Sequence, residues 1–120
     1  MKGSSDLQTI AKVIRRINAV MVSKLISSIR FKSRFDVYKE QLGYKGWEFV
    51  EDLAIYAKQK EAMVVKDLQR AIKCKLIPQG HFSRENRVFM VSNIVYDRYM
   101  EKSAEYDRYF QKMIEEKHRI

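Results

Sequence analysis

The sequence predicts a mainly α-helical fold. Its centre is a winged helix-turn-helix core with a small β wing; an amphipathic N-terminal helix precedes the core and a long C-terminal helix follows it. Three observations predict this. Residues 49–76 hold two amphipathic helical runs separated by the polar break Lys58-Gln59-Lys60. Pro78-Gln79-Gly80 stops the second run, and two strand-like runs then flank Arg84-Glu85-Asn86. Outside this core, residues 6–30 and 93–117 repeat apolar side chains every three or four positions, the spacing of a single helix face.

Composition bounds the rest. A chain of 120 residues, 46% hydrophobic and 32% charged, is long enough to bury a core as one small globular domain with extensions. The single cysteine, Cys74, excludes an intrachain disulfide framework and a cysteine-rich zinc site, and fits a reducing compartment. The first ten residues lack the apolar core of a signal peptide, and no stretch is both long and charge-free enough to span a bilayer. The expected location is therefore the cytoplasm, with the inner membrane face as its variant. The expected division is a flexible lead at 1–5, an amphipathic helix at 6–30, the winged-helix domain at 31–92 and a C-terminal helix at 93–120.

The formal charge of +9 is uneven. Residues 1–46 carry ten basic and three acidic groups, residues 47–96 eight and six, and residues 97–120 six of each. A basic excess favours polyanionic partners, nucleic acid or anionic lipid, but here it belongs mainly to the N-terminal third.

Taken in order, the first helix places Leu7, Ile10, Ile14, Ile17, Met21, Leu25 and Ile29 on one stripe, interrupted by Asn18 and Ser28. That stripe is expected to pack within its own domain or against a twin; a membrane-surface helix would usually carry aromatics in its apolar face, and this one has none. Phe31, Phe35, Tyr38 and Leu42 read as a second helix ended by Gly43. Trp47 and Phe49 read as a short strand that pairs with the wing, Trp47 being the expected core anchor. Leu53, Ala54 and Ala57 face inward from the first helix of the helix-turn-helix. The second helix, Glu61 to Leu76, turns Val64, Val65, Leu68, Ala71 and Ile72 inward and Ala62, Lys66, Asp67, Gln69, Arg70 and Lys73 outward. Cys74 is expected to be a small, half-buried residue. In the wing, alternation pairs Phe82 with Val88 and Met90, or Phe89 with Val91. Ser92 is a suitable cap for the last helix, in which Tyr96-Asp97-Arg98-Tyr99-Met100 recurs as Tyr106-Asp107-Arg108-Tyr109-Phe110.

No catalytic constellation is visible. His81 and His118 stand apart, no nucleophile elbow is present, and four glycines form no phosphate loop. No enzyme activity, cofactor, metal or small-molecule substrate is expected. The leading expectation is a non-enzymatic interaction module that binds a protein partner or itself through Ile10, Ile14, Ile17 and Met21 and through Tyr99, Tyr106 and Phe110. The alternative is DNA binding, with Lys66, Arg70 and Lys73 on the recognition helix and Arg84 and Arg87 on the wing, although Glu61 opens that helix where a DNA reader usually presents Arg, Asn, Gln or Ser. A third reading is an adaptor on an anionic membrane surface.

Residues 30–100 also carry a family pattern: Arg30-Phe31-Lys32, Tyr38, Leu42-Gly43, Glu51-Asp52-Leu53-Ala54, Val64-Val65-Lys66-Asp67-Leu68, Pro78-Gln79-Gly80-His81, Phe89-Met90, Tyr96 and Tyr99. This pattern resembles the cytoplasmic part of the Firmicutes XpaC-like (5-bromo-4-chloroindolyl phosphate hydrolysis) family. The resemblance implies a winged-helix segment that follows membrane helices. The family name implies phosphate-ester hydrolysis, for which these residues offer no machinery. The chain departs from the pattern at Lys58 and Lys60, where relatives usually have Gly and Ser, so the usual cap of the second helix is missing. It departs again before Arg30, where a charged amphipathic helix stands in place of membrane helices.

Overall fold

The computed structural model describes residues 3–119, with side chains from residue 8 onward except 11 and 13–18. The chain divides into two units, one ending at Ser33 and one running from Arg34 to Ile120. Helix α1 (Gly3–Leu42) crosses that boundary. The expected break between two helices at residues 30 and 31 is absent, because 28–33 contains neither glycine nor proline and nothing in Ser28-Ile29-Arg30-Phe31-Lys32-Ser33 stops a helix. The helix ends where Gly43 and Gly46 (φ 77°) turn the chain.

In the second unit follow β1 (Trp47–Phe49), α2 (Val50–Ala57), α3 (Glu61–Lys73), β2 (His81–Phe82), β3 (Val88–Met90), α4 (Asn93–Glu101) and α5 (Ser103–Lys117). This is the order of a winged helix, a mainly helical core with a three-stranded antiparallel sheet in the order β1-β3-β2. Phe49 pairs with Val88 and Trp47 with Met90; on the other side His81 pairs with Met90 and Phe82 with Phe89.

Register decides which residues share a face, since residues directly opposite in a ladder point the same way. Phe82 therefore lies with Phe89 and not, as alternation suggested, with Val88 and Met90; the two phenyl rings meet edge to face at 5.0 Å. That face packs on the end of α1 through Tyr38 and Leu42 and on the helix-turn-helix through Val50, Leu53, Ala54, Val64 and Leu68. The opposite face, with Phe49, Val88 and Met90, packs on Tyr99 and Phe110 of α4 and α5. Both faces of the small sheet are thus covered, which is why all of β3 is buried. Trp47 is only half-buried on the edge strand, so Tyr38, Phe49 and Phe89 anchor the interior in its place. Gly80 is required by this packing: a Cβ there would come within 2.6 Å of the Phe89 ring.

Helix α3 ends at Lys73, three residues earlier than its apolar pattern suggests. Lys75 adopts a left-handed conformation (φ 62°), and the N–H groups of Leu76 and Ile77 return to the Ala71 carbonyl, closing the helix. Cys74 is exposed at that end rather than half-buried. The turn from α2 to α3 shows the effect of Lys58 and Lys60. Lys58 takes a left-handed conformation (φ 54°) that glycine adopts at lower cost, and Lys60 offers α3 no side-chain cap. Ser92 does cap α4, accepting from the Val95 N–H at 3.3 Å. The expected long C-terminal helix is two helices, because Lys102 (φ −133°, ψ 40°) breaks it. The break lets Tyr99 of the first repeat copy donate to Asp107 of the second at 2.6 Å.

Asp67 faces inward, against expectation. It lies 3% exposed, accepts from Arg34 Nε (2.6 Å) and Nη2 (3.0 Å), and accepts from the Tyr38 hydroxyl at 2.7 Å. The last turns of α1 supply those donors, so a carboxylate on α3 can be buried paired. Burial, reinforced by the Asp67 carboxylate, pushes the Tyr38 hydroxyl well above the usual tyrosine range. Above the unfolded tyrosine pKa of about 10 the native state holds a proton that the unfolded chain has lost, so Tyr38 makes stability fall as pH rises, by about 1.4 kcal/mol per pH unit. Urea midpoints measured from about pH 9 to about pH 11 are expected to fall less steeply for Tyr38→Phe than for the unaltered chain.

Candidate functional site

Three surfaces of the molecule carry residues suited to partners. The first is the outer face of α3. Lys66, Gln69, Arg70 and Lys73 recur at helical spacing and are all exposed. Lys58 and Lys60 stand beside the start of α3 and line a shallow surface groove with Lys66. Burial of Asp67 against Arg34 removes its negative charge from this face, leaving Glu61 as the acidic residue exposed on α3. The acids of α2 are also engaged elsewhere, Asp52 by Lys117 and Glu51 by His118 at 3.1 Å. The outer face of α3 is therefore more basic than the charge count of residues 47–96 implies.

The wing does not reinforce it. Arg87 pairs with Glu85 at 2.8 Å and donates to Gln111, and Arg84 lies 4.0 Å from Asp107. The tip itself is a tight turn in which Glu85 (φ 60°) and Asn86 (φ 55°) are both left-handed. Three of the five residues considered for nucleic acid, Lys66, Arg70 and Lys73, thus share one face of α3, while the two wing arginines lie beside acidic partners.

The second surface belongs to the N-terminal unit. Met21 (62% exposed), Leu25 (59%) and Ile29 (59%) follow one another at spacings of four, flanked by exposed Val22 and Ile26, with Ile10 exposed further back. Ile14 and Ile17, the other candidates on this stripe, lie outside the residues whose side chains are described. The stripe drifts: a strict seven-residue repeat continued from Met21 would place Lys24 and Ser28 on the seam, whereas Leu25 and Ile29 advance four residues at a time and so move round the helix by about 40° per step.

The third surface is a cleft between the sheet and the last two helices, with a volume of about 210 Å³. Trp47, Tyr99, Tyr106, Tyr109 and Phe110 form its aromatic walls, and Val88, Met90 and Val95 its aliphatic lining. Lys45 and Arg98 line it as cations, and among the described residues no carboxylate does. Lys45 Nζ sits 4.7 Å from the Trp47 ring centre, and its charge is shared with Glu48 at 3.3 Å. The rings brace one another: Trp47, Tyr99 and Tyr106 all lie 5.6–6.3 Å from Phe110. Tyr99 is fixed at both sides of its hydroxyl, which donates to Asp107 and accepts from the Arg84 N–H at 3.3 Å; burial, then the Asp107 bond, raises its pKa.

This placement reassigns the aromatic candidates. Tyr99 and Phe110 are buried in the core and Tyr106 keeps a partly exposed surface, so they build a cleft rather than an outward stripe. Reading α4 and α5 as one straight helix concealed this, because the turn at Lys102 is what folds the second tyrosine copy back beside the first. Nearby, His81 stacks on Tyr96 at 4.0 Å and meets Asn93 at 2.8 Å, a packing role for a histidine that has no metal-ligating neighbours. Among the described residues no three His, Cys, Asp or Glu side chains come together to hold a metal, and no helix is long and apolar enough to cross a membrane.

Compared with known protein families, curated proteins and solved structures, the chain matches none.

Proposed function

We propose that the chain is a non-enzymatic interaction module that associates with a second copy of itself through the apolar stripe of α1. The observation that carries this reading is the run of exposed large side chains from Met21 to Ile29, five of them within nine residues. Covering one such aliphatic side chain contributes about 1.5–3 kcal/mol, so even a short helix pair gains enough to offset part of the cost of association. The absence of Trp, Tyr and Phe from residues 6–30 supports a helix partner over a lipid surface. Sedimentation velocity tests it: a dimer is expected in the unaltered chain and a monomer in Leu25→Asp/Ile29→Asp. A chain that stays monomeric at about 0.5 mM, where even weak pairing is populated, would remove this reading. The XpaC-like resemblance belongs to the same proposal and would place such a module beside membrane segments, on the cytoplasmic side.

A second reading rests on a separate observation, the basic face of α3 left by the burial of Asp67. Lys58, Lys60, Lys66, Arg70 and Lys73 would contact phosphates of a duplex, with Gln69 between them. Binding is expected to be dominated by phosphate contacts, so fluorescence anisotropy with a random duplex should show affinity falling steeply with salt. Lys66→Ala/Lys73→Ala should weaken binding and lower the salt slope by about two. No binding at about 50 mM salt would exclude it.

A further inference from the structure

We propose that the aromatic cleft between β1, β3 and the α4–α5 pair is a binding site for a free small aromatic carboxylate. Its size, walls and charge each narrow the ligand. An apolar cavity of about 150 Å³ takes up benzene, so a volume of about 210 Å³ suits one six-membered ring with a short substituent and is small for a drug-sized molecule. The lining is predominantly aromatic, and rings pack on rings with an attraction beyond the area they bury. Trp47 and Phe110 lie 5.6 Å apart, and Tyr106 stacks nearly parallel to Phe110 at 6.0 Å, so the walls are held in place by one another before a ligand enters. Preformed walls lower the ordering cost of binding.

The polar groups are cations and hydroxyls, each able to donate to an anion. Arg98 lines the cleft and has no ion-pair partner among the described residues. Lys45 is the second cation, half-offset by Glu48. The hydroxyls of Tyr106 and Tyr109 have no hydrogen-bond partner among the described residues, whereas that of Tyr99 is occupied on both sides. A guanidinium and hydroxyl donors without a lining carboxylate favour an anion, and a planar carboxylate matches the arginine fork in two parallel bonds. An aromatic ring bearing one carboxylate satisfies the apolar walls and the cationic rim together. A bare anion would leave the rings uncovered, and a neutral ring would leave Arg98 unanswered.

The single tryptophan of the chain lies in the cleft, so its indole N–H gives one resolved cross-peak that reports on the site alone. Phenylacetate titrated into the full chain is expected to shift that cross-peak saturably with a dissociation constant of about 1 mM, as its size allows. Phenylacetamide, the neutral isostere, should bind about tenfold more weakly, and acetate should leave the peak in place. Arg98→Gln, at an exposed position that carries no core packing, should keep the fold and weaken phenylacetate about tenfold without changing phenylacetamide. Equal affinity for phenylacetate and phenylacetamide, no saturation by about 10 mM phenylacetate, or full phenylacetate affinity in Arg98→Gln would each overturn the proposal. So would an acetylated peptide ending in phenylalanine that bound more than about tenfold tighter than phenylacetate, since that would assign the cleft to a chain terminus.

Discussion

Asp67→Ala is expected to destabilise the 34–120 unit by about 3 kcal/mol, the largest effect of any single polar substitution considered for this chain. The carboxylate receives three hydrogen bonds, two from Arg34 and one from Tyr38, and is itself buried. Removing it leaves the Tyr38 hydroxyl, in a fully buried side chain, with no acceptor, which costs about 1–3 kcal/mol. It also leaves the guanidinium of Arg34, whose side chain is 19% exposed, without its counter-charge; partial access to water limits that cost but does not remove it. For a unit of this size about 3 kcal/mol corresponds to a fall in Tm of about 15 °C. The triple replacement Arg34→Met/Tyr38→Phe/Asp67→Leu is expected to recover most of the loss, because an apolar set of similar volume needs no partners. Urea unfolding of the single and triple variants checks both statements. A change below about 0.5 kcal/mol for Asp67→Ala would mean that the triad is solvated and holds nothing together.

The same triad explains part of what could and could not be read from the chain. The elements themselves were legible because their periods are distinct: the 3.6-residue spacing of Val64, Leu68 and Ala71, the stop at Pro78-Gln79-Gly80, and the cap at Ser92. Asp67 is not, since a carboxylate on the second turn of an amphipathic helix looks like any solvated acid until the end of α1 brings Arg34 and Tyr38 to it. Alternation alone does not put Phe82 on the face of Phe89, because face assignment depends on the pairing register, which a two-residue strand does not reveal. The cleft is hidden from the sequence for a related reason. Whether Tyr99, Tyr106 and Phe110 form an outward stripe or an inward wall turns on one residue, Lys102, whose conformation carries no glycine or proline signature. The charge along the chain misstates the charge in space, because Asp67, Glu51 and Asp52 are each paired elsewhere and do not offset the lysines of α3.

Leu25→Asp/Ile29→Asp is expected to weaken self-association at least 100-fold while leaving the unfolding midpoint of the 34–120 unit unchanged. Each leucine or isoleucine withdrawn from a helix pair forfeits about 1.5–3 kcal/mol, and an introduced carboxylate must also be desolvated or keep its neighbours wet. Two such changes per copy exceed the roughly 2.7 kcal/mol that 100-fold represents. Folding should be spared because both side chains are 59% exposed and lie outside that unit. Salt separates this contact from its competitors. Residues 1–46 carry a large basic excess, so two copies of α1 repel each other at low ionic strength, and screening should tighten the pair between about 50 mM and about 500 mM salt. Binding to a duplex or to anionic vesicles must show the opposite sign, since counterion release or surface attraction is lost as salt rises. The repulsion also bears on geometry. An antiparallel pair centred on Leu25 would set Lys24 of one copy opposite Ile26 of the other, whereas a parallel pair would align each cation with itself, so the antiparallel arrangement is expected. Single-cysteine variants made in Cys74→Ser test it. Cross-linking from Met21→Cys, on the stripe itself, should be weak if the helices run antiparallel about Leu25, where residue 21 faces residue 29, and strong if they run parallel in register.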